Sequence, residues 1–264
     1  MNSGFLASVL QNYHLLWSVY TAVGIAVLTF GSQWAAMIVP AFREAAALNA
    51  RTYKEKMQKP SYAENQRWNQ KWSMVDLLVI FGLVMPFCVT LEPQPWWRIP
   101  RDIFIILMFY DFFYYLTHRF LFHDNGFLGG PLVWVHAVHH RQHNPCRGDS
   151  SYIHPLEVAM GLGLYVASIF VLSLLLGPFH IVTIVITWVA FSEINQHNHD
   201  LWNAKGFPFK YLNYMSVMHH NHHAKFTGGN FATISLLYDW MFGTLDNGGG
   251  YTRKPAKAQT ASNA

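Results

Sequence analysis

Histidine is concentrated in two short stretches of this chain: HAVHHRQHNP (136–145) carries four imidazoles, and HHNHH (219–223) carries four more. His136, His139 and His140 stand at i, i+3 and i+4, and His219, His222 and His223 repeat that spacing. On a helix such positions share one face, so each triplet is expected to offer three nitrogens to one site. Imidazoles crowded in this way repel one another when protonated. When neutral they are good ligands for iron, zinc or copper, and a bound metal keeps them deprotonated. The chemistry to expect is metal binding.

Two further pairs extend the set. His118 and His123 are five residues apart, roughly 140° around an ideal helix. They can share a site only where the helix ends, loosens or carries a π-bulge, and HRFLFHDNG (118–126) runs into a turn signal that supplies such an irregularity. After Glu193, His197 and His199 compete for one more place, and the reading assigns it to His197. The expected ligands are then His118, His123, His136, His139, His140, His197, His219, His222 and His223, too many for one ion and enough for two. Asp111, Glu157, Glu193 and Asp239 are the carboxylates expected to orient imidazoles from behind. His14, His154 and His180 read as ordinary polar residues, and His143 and His220 as non-ligands. A loose, solvated histidine tract is the weaker account, because it needs no helical triplets.

The elements that must position these residues are apolar. Of 264 residues 52% are hydrophobic and 12% charged, about half the charged share of an ordinary soluble domain. Helical runs are expected at about 14–39, 75–91, 99–122, 156–176 and 179–196, several of them long enough for the roughly 20 residues of a membrane span. The run 75–91 is short and carries Asp76, so a tilted or re-entrant course is expected there. The N-terminus lacks the pattern of a cleaved signal peptide, so the first run reads as a retained helix. The fold class is all-α: a multi-pass transmembrane helical bundle with a cytoplasmic, histidine-rich helical cap. The side follows from charge. Residues 1–42 hold no Lys or Arg and residues 41–74 hold seven, which places the 41–74 loop in the cytoplasm. Following the runs from there, thirteen of the fifteen histidines fall on the same face.

Other features bound the function. Two cysteines, Cys88 and Cys146, make no disulfide framework or Cys-based metal site. The net charge of +4 and pI near 9.0 come from loops beside apolar runs, which points to lipid head groups and away from nucleic acid. GLGLY (161–165) reads as close helix packing that could also shape a lipid tunnel. NGFLGG (125–130) follows no strand and is no dinucleotide motif. PAKAQTASNA (255–264) reads as disordered. Three parts result: membrane anchor helices with a basic cytoplasmic loop (1–98), a catalytic domain (99–250) and a tail (251–264).

HRFLFH (118–123), HAVHH (136–140) and HHNHH (219–223) together resemble the three histidine boxes of the fatty acid hydroxylase superfamily, membrane di-iron oxygenases that include sterol desaturases and methyl-sterol oxidases. YDFFYYLTHR before the first box, HPLE (154–157), QHN (196–198) and GGNFATISLLYDWMFGT (228–244) add to the likeness, which covers roughly residues 100–245. The resemblance implies ligation of two non-haem irons by the eight box histidines, with His197 at a variable additional place and His199 as its competitor. It implies O2 as co-substrate, a lipid substrate reaching the metals from the bilayer, and hydroxylation of a C–H bond. A desaturase using the same centre is the alternative. A fused cytochrome b5-like domain is lacking, so electrons are expected from a separate cytochrome b5-like protein, ferredoxin or reductase, in a bacterial inner membrane or the endoplasmic reticulum. A metal transporter or bis-histidine haem protein fits poorly, since almost no histidine lies within a span.

Overall fold

The computed structural model of the chain describes residues 11–124 and 128–249; the tail read as disordered lies outside them, as does part of NGFLGG. The fold is predominantly helical. α1 (Leu15–Ala36) is followed by α2 (Pro40–Lys56) and α3 (Pro60–Val79), and α3 continues through a π-helical turn (Ile80–Val84) into Met85–Cys88. α4 (Arg98–Thr117) also ends in a π-helical turn, His118–Phe122. Then come α5 (Val133–His136), two 3-10 turns (His139–Arg141 and Arg147–Ser151), α6 (Pro155–Leu176), α7 (Ile181–His197), α8 (Phe209–Leu212), α9 (Tyr214–Ala224) and α10 (Leu237–Met241).

The 41–74 segment is not a loop. It folds as α2 and the first half of α3, each opened by a proline in its first turn, Pro40 and Pro60. Proline is tolerated there, and the Ala, Glu, Lys, Arg and Gln that follow are strong helix formers. The basic residues of this segment therefore decorate helices. The apolar run 75–91 is accordingly the second half of a 29-residue helix, Pro60–Cys88. A two-residue parallel ladder, Val89 with Phe179 and Thr90 with His180, links its exit to the α6–α7 connection.

Among the described residues three helices are long and apolar enough to cross a membrane: Leu15–Ala36, Pro60–Cys88 and Pro155–Leu176. Only 11% of the apolar window of α1 is buried within the protein, and Leu16, Val23, Val27 and Phe30 point outward. Such a surface is stable against lipid and unstable against water. α4 and α7 complete the bundle. α1 lies along α7, α4 packs against both α6 and α7, and α3 against α6. Their shared core is Ile106, Tyr110, Tyr165, Ile169, Ile184 and Trp188, joined by Met85, Cys88 and Phe179.

The two ends of the bundle differ. At one, Arg98 donates to the Leu176 carbonyl at 3.0 Å, and Gln94 to that of Pro178 at 3.1 Å. At the other, the C-termini of α4 and α7 and the N-terminus of α6 converge on the histidine-bearing segments. Glycines at 161 and 163 meet nothing within 4 Å, so close helix packing is not their role. That role falls to Gly24 of α1, where a Cβ would stand 2.8 Å from Val185 Cγ2 of α7. A Gly24→Leu protein is expected to lose about 1–3 kcal/mol through the forced separation of α1 and α7, measured as a lower midpoint of thermal unfolding in detergent.

Candidate metal centre

Nine histidines form two buried groups. His118, His123, His136, His140 and His222 make one, and His139, His199, His219 and His223 the other; within each group one nitrogen from every ring lies within 4.8 Å of the rest. The groups adjoin: the His140 and His223 rings stack with centroids 4.8 Å apart, and those of His139 and His223 are 4.6 Å apart.

The π-helical turn His118–Phe122 solves the five-residue spacing. It carries the chain round so that the His118 and His123 rings lie 5.0 Å apart on one side. The triplets behave differently from the expectation. His136 and His140 join one group while His139 goes to the other, and His219 and His223 join one group while His222 goes to the other. Residues i and i+4 are about 40° apart on a helix and i+3 lies about 60° the other way, so a triplet between two groups divides in this manner. Only the second triplet sits on a regular helix, α9; the first spans α5 and a 3-10 turn.

The ninth place belongs to His199, not His197. Two residues on a helix point nearly opposite ways, and the turn after α7 brings His199 Nε2 to 3.1 Å from His139 Nε2 and 3.0 Å from His219 Nε2. His197 faces away, its Nε2 on the Leu212 carbonyl at 2.9 Å and its Nδ1 on Asp200 at 3.3 Å. With acceptors at both nitrogens it has no lone pair for a metal. His154 and His180 cap α6 and α7, accepting from the backbone N–H of Leu156 and Val182. His14 stacks on Trp17.

Hydrogen bonds decide which ring nitrogens are bare. His118 Nδ1 donates to the Phe231 carbonyl (2.7 Å), His123 to Phe226 (2.8 Å), His139 to Tyr152 (3.1 Å), His199 to Asn195 (2.8 Å) and His222 to Gly229 (2.7 Å). His136 Nδ1 shares a hydrogen bond with Glu157 Oε1 at 2.7 Å. A carbonyl only accepts, so the ring proton is on Nδ1 and the neutral Nε2 carries a lone pair. His139 and His199, both tied to carbonyls, nonetheless bring their Nε2 atoms to 3.1 Å. Two lone pairs at that distance cannot hydrogen-bond, and a cation bound by both would relieve their repulsion. Burial pushes these rings well below their ordinary pKa, His139 and His222 to about 4, which disfavours a proton in that role. His123 Nε2 is in addition buried without a hydrogen-bond partner. Nitrogens each about 2.1 Å from one ion and at right angles are about 3 Å apart, so the donor set fits a metal in each group.

The carboxylates divide in function. Of the four expected, Glu157 is the one that touches a clustered imidazole, His136. Asp111 instead accepts from the backbone N–H groups of Thr233, Ile234 and Ser235 at 2.9, 2.8 and 3.1 Å. Asp239 accepts from those of Phe231 and Ala232, both at 2.8 Å. Both fix the loop whose Phe231 carbonyl holds His118, one step removed from the expected role. Glu193 reaches no imidazole: it holds Gln33 at 2.8 Å and Arg147.

The acceptors in 226–231 escaped sequence reasoning because a carbonyl has no side-chain signature. The signal that remains is FTGGN (226–230): Asn230 adopts a positive φ of 66°, and at Gly228 a Cβ would stand 2.9 Å from the Lys225 carbonyl. Asn230 Nδ2 then pins the loop to the carbonyls of Met218 and Asp246 at 2.9 and 2.8 Å.

A cavity of about 190 Å³ lies at the histidines, walled by Tyr110, Tyr114, Leu162 and Phe191 and floored by His118, His136, His139, His199 and His219. Gly161 borders it, which leaves the tunnel-shaping role open to the GLGLY segment.

The fold and site thus define a membrane-type helical bundle with two adjoining polyhistidine clusters fit to hold metal ions. The chain belongs to the fatty acid hydroxylase family, whose model matches residues 103–244. It is similar to methylsterol monooxygenase 1 of Rattus norvegicus, 27% identical over 177 residues, 62% of this chain and 55% of the relative. It is also similar to a very-long-chain aldehyde decarbonylase of Oryza sativa subsp. indica, 31% identical over 160 residues, 58% of this chain and 55% of that one. The chain spans about half the length of these curated relatives. No solved structure matches it.

Two outcomes follow. His199→Ala should lower the metal bound per chain while His197→Ala leaves it unchanged, measured by elemental analysis of purified protein. The metal-free protein should lose stability as pH falls. Above pH about 6.5 the rings are neutral in both states; below it the unfolded chain takes up protons that the folded clusters refuse, at up to about 1.4 kcal/mol per ring per pH unit. Thermal midpoints should therefore be level from pH 7.5 to 9, roughly the range above the ordinary histidine pKa, and drop steeply toward pH 5, in the interval between that value and the depressed one near 4.

Proposed function

We propose that the protein is an O2-dependent, di-iron integral membrane hydroxylase that inserts oxygen into a C–H bond of a lipid. The observation that carries the reading is the pair of adjoining imidazole groups, one of five and one of four, with lone pairs facing one another. Family membership and similarity to a methylsterol monooxygenase support a lipid-modifying oxygenase. His118, His123, His136, His140 and His222 would hold one iron and His139, His199, His219 and His223 the other. Paired irons supply the redox chemistry that an unactivated C–H bond requires, since such a bond offers no acid, base or leaving group.

The remaining tasks fall to the protein. Glu157 and the carbonyls of Phe226, Gly229 and Phe231 keep the protons on Nδ1 and hold the rings in place. Tyr110, Tyr114, Leu162 and Phe191 wall the cavity against water. The apolar outer faces of α1, α3 and α6 keep this end of the bundle at a membrane surface. The Lys and Arg residues of α2 and α3 support a cytoplasmic position for that end, where a separate electron donor, cytochrome b5-like, ferredoxin or reductase, would deliver electrons.

Lipid extracts from cells with and without the protein test the reaction by mass spectrometry. The expected product gains one oxygen; a loss of two hydrogens would make the enzyme a desaturase, and no product with altered cellular metal content would favour transport. His139→Ala and His222→Ala, one in each group, should both lose bound iron and all product. An active, iron-replete variant at either position would remove the assignment.

A further inference from the structure

The small cavity at the histidines adjoins a larger one. A chamber of about 580 Å³ shares Ser150, Ile153, Val158, Phe191 and Asn195 with it, so these five residues line the boundary, or neck, between the two. The chamber lies between α2, α3, α7 and the turn at 147–153. Its polar wall is built of uncharged groups, among them Asn49, Asn69, Ser73, Ser192 and Gln196, and Arg147 is its one ionic lining residue. That guanidinium is already held by Glu193, and by Asp200 at 3.1 Å. A phosphate or carboxylate entering here would give up its hydration and meet no free cation.

Asn69 of α3 marks what the chamber can hold. Its side chain is 2% exposed, and Nδ2 faces Asn65 Oδ1 at 2.9 Å and the carbonyls of Ser151 and Ile153 at 2.9 and 2.8 Å. Backbone carbonyls cannot donate, so the amide orientation is fixed with nitrogen toward them. Oδ1 is then a buried acceptor without a hydrogen-bond partner, a costly arrangement that an incoming O–H or N–H group relieves. The position suits a lipid head group, since Asn69 stands where the polar first half of α3 meets its apolar second half.

We propose that this chamber receives the polar end of the lipid substrate, that Asn69 Oδ1 accepts a hydrogen bond from it, and that the protein selects lipids whose head is an uncharged hydrogen-bond donor, an alcohol foremost. The inference rests on the hydroxylase reading for what happens beyond the neck, and on the chamber alone for binding. Asn69 is a positioning and specificity residue; it also braces the Ile153 carbonyl, so the head-group site is mechanically joined to the neck.

The test uses the full-length, iron-loaded protein in nanodiscs and three probes of one chain length: 1-hexadecanol, hexadecanoate and hexadecyl phosphate, with binding followed by native mass spectrometry. Hexadecanol should bind about tenfold more tightly than either anion, and Asn69→Leu should erase that preference while iron content stays at the wild-type level. Val158→Trp, which fills the neck, should abolish turnover and keep the head-group preference. Equal or tighter binding of either anion by the wild type overturns the proposal, as does a preference that survives in Asn69→Leu. Should that variant fail to fold, the order of the three probes on the wild type decides alone. An iron-free or productless protein with the alcohol preference intact would count against the oxygenase reading and leave this one standing.

Discussion

The structure depends on a constraint at the level of single lone pairs. Rings tied through Nδ1 to backbone carbonyls turn bare Nε2 atoms inward, and those of His139 and His199 meet at 3.1 Å. Such a contact is unfavourable in a buried site, and the depressed pKa values make a proton a poor remedy. The fold therefore holds many neutral imidazoles in a geometry that could bind metal. Most of the anchoring is done by backbone. Residues 226–231 contribute three of the carbonyls, and that loop is held by Asp239 and Asn230, while Asp111 secures the residues just after it. Charge deep in the protein is spent on main-chain N–H groups so that main-chain carbonyls can be spent on histidine.

The bundle explains why this happens at one end. Helix termini leave backbone groups unpaired, and here the ends of α4 and α7 extend into histidine-bearing turns. His118 opens the π-helical turn after α4, and His199 follows the last residues of α7. Glu157 sits in the first turn of α6, where a carboxylate interacts favourably with the helix dipole. Apolar faces fix the bundle in place, and the turns at its end are free to be shaped by the histidines.

Part of this was legible in the sequence. The helical angle between His118 and His123 demanded an irregularity, and the π-helical turn is that irregularity. The density of histidines required two sites, and the structure forms two groups. What stayed hidden has physical reasons. Charge in residues 41–74 suggested a loop, yet helix formers behind Pro40 and Pro60 outweighed that signal. The choice between His197 and His199 depended on a turn after α7 that no periodicity describes. Asp111 and Glu193 were expected to face imidazoles because spacing along one helix says nothing about which foreign backbone N–H or guanidinium arrives from another part of the chain.

The division of each triplet is the most informative departure. Had three histidines served one ion and three another, the groups could have stood anywhere relative to each other. Instead His222 and His223, adjacent on α9, serve different groups, and so do His139 and His140. Adjacent residues on a helix are held about 100° and a fraction of a turn apart, so one rigid helix sets the spacing between the two groups. Any movement of α9 shifts donors of both groups together, and neither can be remodelled alone. The five-histidine and four-histidine clusters thus form one mechanical unit, the condition under which two metal ions could act jointly on a single bond.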